Sequence, residues 1–356
     1  MRLKDHSTEE LHELAAPWGV TPRIARQLQS LVVKRRATVL PTELNGVARR
    51  TWGQICEQVT IPHLTLVEKA VSAVDGFAKY LFKGDGDDVF EAVRIPLMHR
   101  PGDEKYVVCV SSQVGCVAQC AFCATGRLGF RRHLATWEIV DQIVKVQADS
   151  DFPVRGVVFM GMGEPLLNYA RVMRAAQILS DPSGMAIDAK AITISTVGIT
   201  PMIRRFTQEK RPYRLIVSVS AAFAEQRNEL LPMNQMYPLP GVLEALKEYQ
   251  AATGGKRVSL AWTMMAGVNM GREHVLELAR LTAGMRILLN LIPVNDPTLR
   301  FRPPNDHELN EFLDILRADL GCPIVRRYSG GKDIHGACGM LAGKEINNLA
   351  PPSCCN

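Results

Sequence analysis

Three cysteines separated by three and two residues are the most distinctive chemical feature of this sequence. Cys116, Cys120 and Cys123 follow a short apolar run, and no second triplet of closely spaced cysteines accompanies them. Thiolates are soft ligands that select iron–sulfur clusters, zinc or cuprous copper. Three thiolates can hold a [4Fe–4S] cluster and leave one iron free to bind a small molecule. A zinc site, which usually takes four protein ligands, and plain structural thiols are the alternatives.

The composition is that of an ordinary globular chain. The 356 residues are 47% hydrophobic and 22% charged, which suits one large domain with an accessory domain. The formal net charge of +6 permits contact with RNA but does not require it. The longest apolar runs, such as residues 287–294, have the length of a strand rather than of a membrane span.

The N-terminus and the cysteine content predict a cytoplasmic protein. Residues 1–6 carry charged side chains and lack the apolar stretch of a signal peptide. The chain contains nine cysteines without an export signal. In a reducing compartment such cysteines are expected to act as ligands or reactive groups rather than as disulfides.

Residues 1–60 are predicted to form a helical accessory domain. A capping box begins at Ser7, and Thr21 with Pro22 marks the start of a second helix. This region also carries a cluster of basic residues, Lys34, Arg35, Arg36, Arg49 and Arg50. The cluster could contact RNA, or it could simply be solvated charge that is favourable near a helix C-terminus.

Residues 61–97 are predicted to form strands, with a hairpin turn at residues 84–87. In the strand that follows the turn, a period of two places Glu91 on the same face as apolar residues. A carboxylate in that position would be desolvated, which raises the pKa of a carboxyl group. Pairing with a lysine or arginine, or exposure to water, are the alternatives.

From residue 106 onward, predicted strands and helices alternate. Parallel strands joined by right-handed helical crossovers are the expected result, and the fold class is α/β. Six such units favour a partial α/β barrel, whose site lies at the C-terminal ends of the strands. Helix caps are predicted at Asn168 and Asn305. The predicted strands cover residues 106–110, 156–160, 191–195, 215–219, 258–264 and 287–292.

Polar residues follow four of these strands at the ends where a barrel site would lie. Glu164 can receive an ammonium group, and Gly163 allows a ligand to approach the backbone. Each residue alone is more typical of a turn or a cap, but their joint placement favours a rim that binds a polar ligand. The remaining polar members are Ser195, Ser218, Ser220 and Asn295, with Val219 standing between the two serines at the end of the fourth strand.

Five segments, in this order along the chain, resemble the radical S-adenosylmethionine (SAM) enzymes that methylate a ring carbon of adenine in RNA. They are residues 109–116, 161–166, 195–198, 291–295 and 331–339. The resemblance covers about residues 75–345. It implies a partial (β/α)6 radical SAM barrel over residues 98–345, with the hairpin extension and the helical domain before it and a tail at residues 346–356.

The resemblance also implies roles for individual residues. Cys116, Cys120 and Cys123 would hold the [4Fe–4S] cluster, and Cys338 would carry a methyl group in transit. Cys109 would then attack Cys338, releasing the product and leaving a disulfide. Glu91 matches the proton acceptor of the family. SAM would contact the strand-end residues Gly163, Glu164, Ser195, Ser218, Val219, Ser220 and Asn295.

One position departs from the family pattern. The fourth strand of the barrel usually ends in Ser-Leu-His in this family, whereas here it ends in Ser218, Val219 and Ser220, so one SAM contact differs. The expected substrate is an adenosine of 23S rRNA, tRNA or both, methylated at carbon 2 rather than carbon 8. We expect a monomer that takes electrons from flavodoxin or ferredoxin and has no membrane partner. The alternatives are a zinc-bearing RNA-binding protein without catalysis and a radical SAM enzyme of another reaction type.

Overall fold

A computed structural model describes residues 1–98 and 101–342. The predicted tail at residues 346–356, with Cys354 and Cys355, lies outside the described residues, as do the last three residues of the predicted core domain. None of the helices in the described ranges is long and apolar enough to cross a membrane.

The helical N-terminal region forms as the sequence predicts. The Ser7 capping box is present, with the Ser7 hydroxyl accepting from the Glu10 amide and the Glu10 carboxylate accepting in return. Thr21 caps the second helix, and a π-helical turn extends that helix to Lys34. The three helices are α1 (Thr8–Ala15), α2 (Pro22–Gln29) and α3 (Arg49–Gln58).

Three antiparallel strands follow and extend the edge of the main sheet. They are β1 (Thr65–Val71), β2 (Ala78–Lys83) and β3 (Val89–Leu97). The predicted hairpin turn at residues 84–87 joins β2 to β3. Strand β3 then pairs with the first strand of the barrel, so this region is continuous with the main sheet.

The core is a mostly parallel barrel-like sheet, which confirms the predicted fold class. All six predicted strands are present, and β5 and β6 form a separate small hairpin. The strands are β4 (Lys105–Cys109), β5 (Gln113–Gly115), β6 (Phe130–His133), β7 (Val154–Phe159), β8 (Ile192–Thr196), β9 (Arg214–Ser218), β10 (Val258–Met264), β11 (Ile287–Pro293) and β12 (Ile324–Arg326). The order β4-β7-β8-β9-β10-β11-β12 is parallel throughout.

Helices occupy the connections between these strands. They are α4 (Ala124–Arg127), α5 (Thr136–Ala148), α6 (Tyr169–Ser180), α7 (Thr200–Gln208), α8 (Ala224–Leu230), α9 (Leu239–Ala252), α10 (Arg272–Leu281) and α11 (Asp306–Asp319). The capping box at Asn305 is confirmed. Asn168 precedes α6 but does not cap it, because its amide donates instead to the carbonyls of Ser112 and Leu134, both at 2.9 Å.

A buried ion pair joins the N-terminal region to the barrel. Lys4 lies 2.6 Å from Asp141 of α5, and the two side chains are 2% and 0% exposed. Lys4 also donates to the Pro62 carbonyl, and Asp141 accepts from the Leu64 amide. Apolar residues such as Leu3 pack in the same hydrophobic core as the barrel strands. Each charge therefore has a further hydrogen bond to the backbone, which offsets part of the cost of its burial.

The two edges of the sheet approach each other through the loop between β1 and β2. The Asp75 carboxylate accepts from the Gly331 amide at 2.9 Å and from the Tyr328 hydroxyl at 3.0 Å. Phe77 stacks edge to face on Tyr328, with ring centroids 6.0 Å apart. The hairpin loop therefore holds the segment that leads from β12 to Cys338.

Candidate active site

A cleft at the C-terminal ends of the parallel strands brings most of the predicted site residues together. Its volume is about 930 Å³ including the open mouth, within the usual range for a ligand site. It is lined by Cys116, Cys120, Cys123, Gly163, Glu164, Ser195, Ser218, Asn295 and Cys338, among others.

The cysteine triplet occupies the segment between β5 and α4, inside the connection from β5 to β6. Cys116 follows β5 and accepts from the Ala118 amide at 3.4 Å, and Cys123 directly precedes α4. Burial raises the pKa of Cys116 to about 12 and that of Cys120 well above its usual range, and the charges of the neighbouring cysteines add to both shifts. The three thiols are thus close together, and a bound metal must displace their protons.

The donor set fits the cluster that the spacing predicts. Three soft sulfur ligands face one cleft, and that cleft also carries a carboxylate and hydroxyl groups that can bind a polar ligand. Within residues 1–98 and 101–342, no group of three or more His, Cys, Asp or Glu side chains is arranged to hold a single metal ion.

Gly163 and Glu164 form a tight turn after β7. Gly163 has φ +104°, and a Cβ there would lie 2.6 Å from the Cβ of Gln113, so only glycine fits. Glu164 is 2% exposed, and its two oxygens accept from the amides of Leu166 and Val197, each at 2.9 Å. Burial raises the pKa of Glu164 to about 7, although these hydrogen bonds oppose the shift.

The residues at the end of β9 divide into two groups. Ser218 lines the cleft, whereas Val219 and Ser220 are fully buried and are absent from the lining. Ser220 has φ +54°, and its hydroxyl accepts from the Thr263 amide at 3.1 Å. Asn269 donates to the Ser220 carbonyl at 2.7 Å. At the position of the family's imidazole, this serine therefore braces β9 against β10, and its assignment as a SAM contact stays a prediction.

Cys338 lies between the cleft and a second cavity. This cavity runs through the barrel lumen, has a volume of about 2330 Å³ with its openings, and is lined by both Cys109 and Cys338. Cys109 ends β4, and burial, with a further contribution from the charge of Cys338, raises its pKa to about 12. Part of Cys338 is solvent-accessible, but the atoms packed around its sulfur raise its pKa to about 11, against the charge of Arg327.

Both cysteines are free thiols, and the residues that the structure describes contain no disulfide. The expected Cys109–Cys338 disulfide is therefore not present in this state of the protein. The two thiols nevertheless line one cavity, and the charge of Cys338 contributes to the raised pKa of Cys109.

Glu91 lies close to this region but does not line either cavity. It is 1% exposed, its carboxylate lies 3.0 Å from the Lys79 ammonium, and it accepts from the Ala342 amide at 2.9 Å. Pairing with a cation, one of the alternatives for this residue, is thus what the structure shows. Through Ala342, Glu91 holds the chain a few residues after Cys338.

Several residues around the site have no signal in the sequence. Lys79 is diagonal to Glu91 across the β2–β3 pair, and only the strand register could have revealed it. Gln113 accepts from the Glu164 amide at 2.9 Å. Arg227, on a helix that the sequence analysis does not predict, is 1% exposed and donates to carbonyls at the ends of β8 and β9.

The comparisons with known proteins agree with this architecture. The radical SAM superfamily model matches residues 110–281. A solved radical SAM methyltransferase from Sphaerobacter thermophilus has a TM-score of 0.85 and 35% identity, covering 96% of this chain and 99% of that one. The protein is thus a radical SAM enzyme by fold and by the sulfur-lined cleft.

Relatives that match over nearly the whole chain narrow the class further. A Myxococcus xanthus protein named as a probable RNA methyltransferase is 45% identical, covering 99% of this chain and 97% of the relative. A probable dual-specificity RNA methyltransferase RlmN from Leptospira interrogans is 38% identical over 96% of each chain.

The chain belongs to the radical SAM RNA methyltransferase family. It is a SAM-dependent methyltransferase, and the family uses a [4Fe–4S] cluster and SAM. The alternatives of a non-catalytic zinc protein and of a different radical SAM reaction do not account for relatives of this kind over 99% and 96% of the chain.

Proposed function

We propose that the protein methylates a ring carbon of an adenosine in structured RNA through a methylated Cys338 and a transient protein–RNA adduct. The observation that carries the proposal is the position of Cys338, which lines both the sulfur-lined cleft and the lumen cavity that contains Cys109. A methyl group on this sulfur could be reached from the cleft on one side. The adenine base of the RNA could reach the same methyl group from the lumen cavity on the other side.

The residues of the cleft would hold the cofactors. Cys116, Cys120 and Cys123 would ligate the cluster, and the strand-end residues Gly163, Glu164, Ser195, Ser218 and Asn295 would contact SAM. Bound together, the cluster and SAM supply the one-electron chemistry that removes a hydrogen atom from a methyl group on Cys338. The Asn295 amide donates to the Cys338 carbonyl at 3.2 Å, so a SAM-contacting residue also positions the methyl carrier.

The two cysteines and Glu91 would complete the reaction. After the Cys338 methylene joins the ring carbon, the Cys109 thiolate attacks the Cys338 sulfur and a disulfide forms. The bond from that sulfur to the methylene carbon breaks, and its electron pair takes up a proton to leave a methyl group. Before that displacement, the ring proton passes to a base, for which Glu91 is the proposed acceptor, and the unpaired electron left on the ring would return to the oxidised cluster. The disulfide must then be reduced before the next turnover.

The basic residues of the helical N-terminal domain would recruit the RNA. Lys34, Arg35, Arg36, Arg49 and Arg50 are all exposed, and none forms an ion pair within the part of the chain that the structure describes. Cations without acidic neighbours are available for phosphate contacts. Action on more than one RNA is supported by relatives named dual-specificity RNA methyltransferases, whereas rRNA and tRNA as the two substrates, and carbon 2 as the target, rest on the sequence resemblance. Flavodoxin or ferredoxin is the proposed reductant, and the proposed active form is a monomer.

Mass spectrometry of nucleosides from a deletion strain tests the proposal. Digested 23S rRNA and tRNA from the deletion strain should lack a methyladenosine that its parent contains. Complementation with the wild-type gene should restore this nucleoside, whereas the Cys338→Ala gene should not. Identical methyladenosines in the parent and the deletion strain, with no second enzyme to make them, would refute the proposal. Comparison with synthetic 2- and 8-methyladenosine identifies the carbon.

A further inference from the structure

A buried arginine lies directly behind the ends of the strands that line the cleft. Arg227 of α8 is 1% exposed. Its guanidinium donates to the Asn234 side-chain oxygen at 3.0 Å and to the carbonyls of Val197 and Ser218, each at 3.1 Å. It also donates to the Val219 carbonyl. All four acceptors are neutral, so these bonds satisfy the donors but leave the positive charge uncompensated.

The described part of the chain offers Arg227 no carboxylate partner. No ion pair involves it within residues 1–98 and 101–342. The nearby Glu164 has both oxygens occupied by backbone amides, one of them that of Val197. A buried cation without a counter-charge costs several kcal/mol, so it is retained only where a negative group compensates it.

The cysteine loop packs against the same helix that carries Arg227. The loop docks on the end of α8, where the Ala121 amide donates to the Leu230 carbonyl at 3.0 Å. Cys120 packs on the apolar cluster that contains Leu230 and Leu231. Burial lowers the pKa of Arg227 to about 10, while a negative charge on Cys120 raises it. An arginine stays protonated at neutral pH, and Arg227 lies within one helical turn of Leu230, on which the cysteine loop docks.

We propose that Arg227 is the fixed counter-cation of the iron–sulfur cluster and raises its reduction potential. This inference rests on the proposed ligation of the cluster by Cys116, Cys120 and Cys123. With three thiolate ligands, the oxidised [4Fe–4S] cluster carries one net negative charge, and the reduced cluster carries two. A buried cation therefore stabilises the reduced state more than the oxidised state, because charges interact strongly where water is excluded.

The proposal separates the charge of Arg227 from its hydrogen bonds. Reduction adds one electron to the cluster and changes no covalent bond, so only the charge beside it should matter. Arg227→Gln removes the charge, and Arg227→Lys retains it with fewer donors. Asn234→Asp leaves Arg227 in place. It replaces the neutral oxygen that accepts from the Arg227 Nε–H with a carboxylate oxygen. Arg94→Gln is the matched control, because Arg94 is a buried cation, 8% exposed, that donates to the Asp149 carbonyl away from the cleft.

The experiment is a redox titration followed by electron paramagnetic resonance on anaerobically reconstituted protein. Arg227→Gln and Asn234→Asp should bind wild-type amounts of iron and sulfide. Their equilibrium constant for one-electron reduction should fall at least tenfold, which is a shift of about 59 mV to more negative potential. Arg227→Lys should stay within threefold of wild type, and Arg94→Gln should not change.

The outcomes distinguish this inference from the function on which it rests. Wild-type potentials in both Arg227→Gln and Asn234→Asp, with intact clusters, would overturn the role of Arg227 and leave the proposed function untouched. If Arg227→Gln fails to fold, Asn234→Asp alone decides, since it preserves the side chain and its size. A wild-type protein that binds no cluster through the three cysteines would instead contradict the proposed ligation.

Discussion

Glu164 is the residue at which burial and function conflict most directly. Its side chain is 2% exposed, yet it faces a cleft in which an ionised carboxylate would bind an ammonium group. Desolvation disfavours the charged form, and the pKa of about 7 reflects that cost. The protein without SAM is therefore destabilised by the group that is proposed to bind it, a common property of functional sites.

The first prediction concerns the pH dependence of stability caused by Glu164. An unfolded glutamate loses its proton near its ordinary pKa of 4.5, whereas the folded one retains it until about pH 7. The unfolded state thus binds fewer protons in this window, and the wild type should lose about 3 kcal/mol of stability as the pH rises from 4.5 to 7. Urea unfolding of the cluster-free protein measures this loss, and Glu164→Gln should lack this contribution. Equal pH profiles for the two proteins would contradict the assignment.

The second prediction concerns the two thiols outside the triplet. Cys109→Ala should accumulate a covalent protein–RNA adduct in the presence of SAM and reductant, because the displacement that frees the product is removed. Denaturing gel electrophoresis with labelled RNA detects it. Cys322→Ala is the matched control, since this half-buried thiol lies at the amino-terminal edge of the sheet. Turnover by Cys109→Ala at the wild-type rate without an adduct would rule out the resolving role.

At the scale of single residues, the sequence identifies those whose spacing or position at a strand end indicates a function. The cysteine triplet, Gly163 and Glu164 belong to this group, and the structure brings them into one cleft. It cannot identify Lys79, which the strand register brings to Glu91, or Arg227, whose carbonyl acceptors lie on other elements of the fold. The orientation of Ser220 toward β10 depends on a left-handed backbone conformation, and a serine in the sequence gives no reason to predict that conformation.

At the scale of elements, long periodic segments are predictable and short ones are not. The strand predicted at residues 258–264 is β10, which has those bounds in the structure. Strand β12 has three residues and helix α8 has seven, too few for a hydrophobic period to be visible. Both nevertheless matter, because β12 leads to Cys338 and α8 carries Arg227. Short elements near a site are held by tertiary contacts rather than by their own propensity.

The third prediction tests the buried pair that joins the N-terminal region to α5. Asp141→Asn leaves the Lys4 ammonium buried without a counter-charge and should cost about 3–5 kcal/mol of unfolding free energy. Denaturant unfolding measures it, and a double-mutant cycle with Lys4→Met should show strong coupling between the two sites. Glu248→Gln, which breaks an ion pair whose members are 43% and 44% exposed, is the control and should have a much smaller effect. Equal losses from the buried and exposed pairs would contradict this account.

At the scale of the whole molecule, the RNA should contact a surface separate from the chemistry. The fourth prediction is that reversing Lys34, Arg35 and Arg36 to glutamate weakens RNA binding and reduces its salt dependence. The slope of log K against log salt should fall by about 2–3 if all three cations contact phosphates. Fluorescence anisotropy at several salt concentrations measures this, while reductive cleavage of SAM without RNA should be unchanged.

The control for this surface reverses two arginines that are already paired. Arg280 and Arg317 are exposed but lie beside acidic residues of their own helices. The same reversal there should leave the RNA affinity and its salt dependence near wild type. Equal losses from both sets of reversals would indicate that net charge alone governs binding, and the N-terminal surface would have no special role.

The central claim is that the methyl group passes through Cys338 on its way to RNA, and isotope transfer tests it most directly. The protein is first methylated with SAM that carries a deuterated methyl group, then freed of SAM, and finally given RNA, reductant and unlabelled SAM for a single turnover. Mass spectrometry should find deuterium in the first methyladenosine formed and its loss from the Cys338 peptide. A first product without deuterium, with the label still on Cys338, would contradict the account.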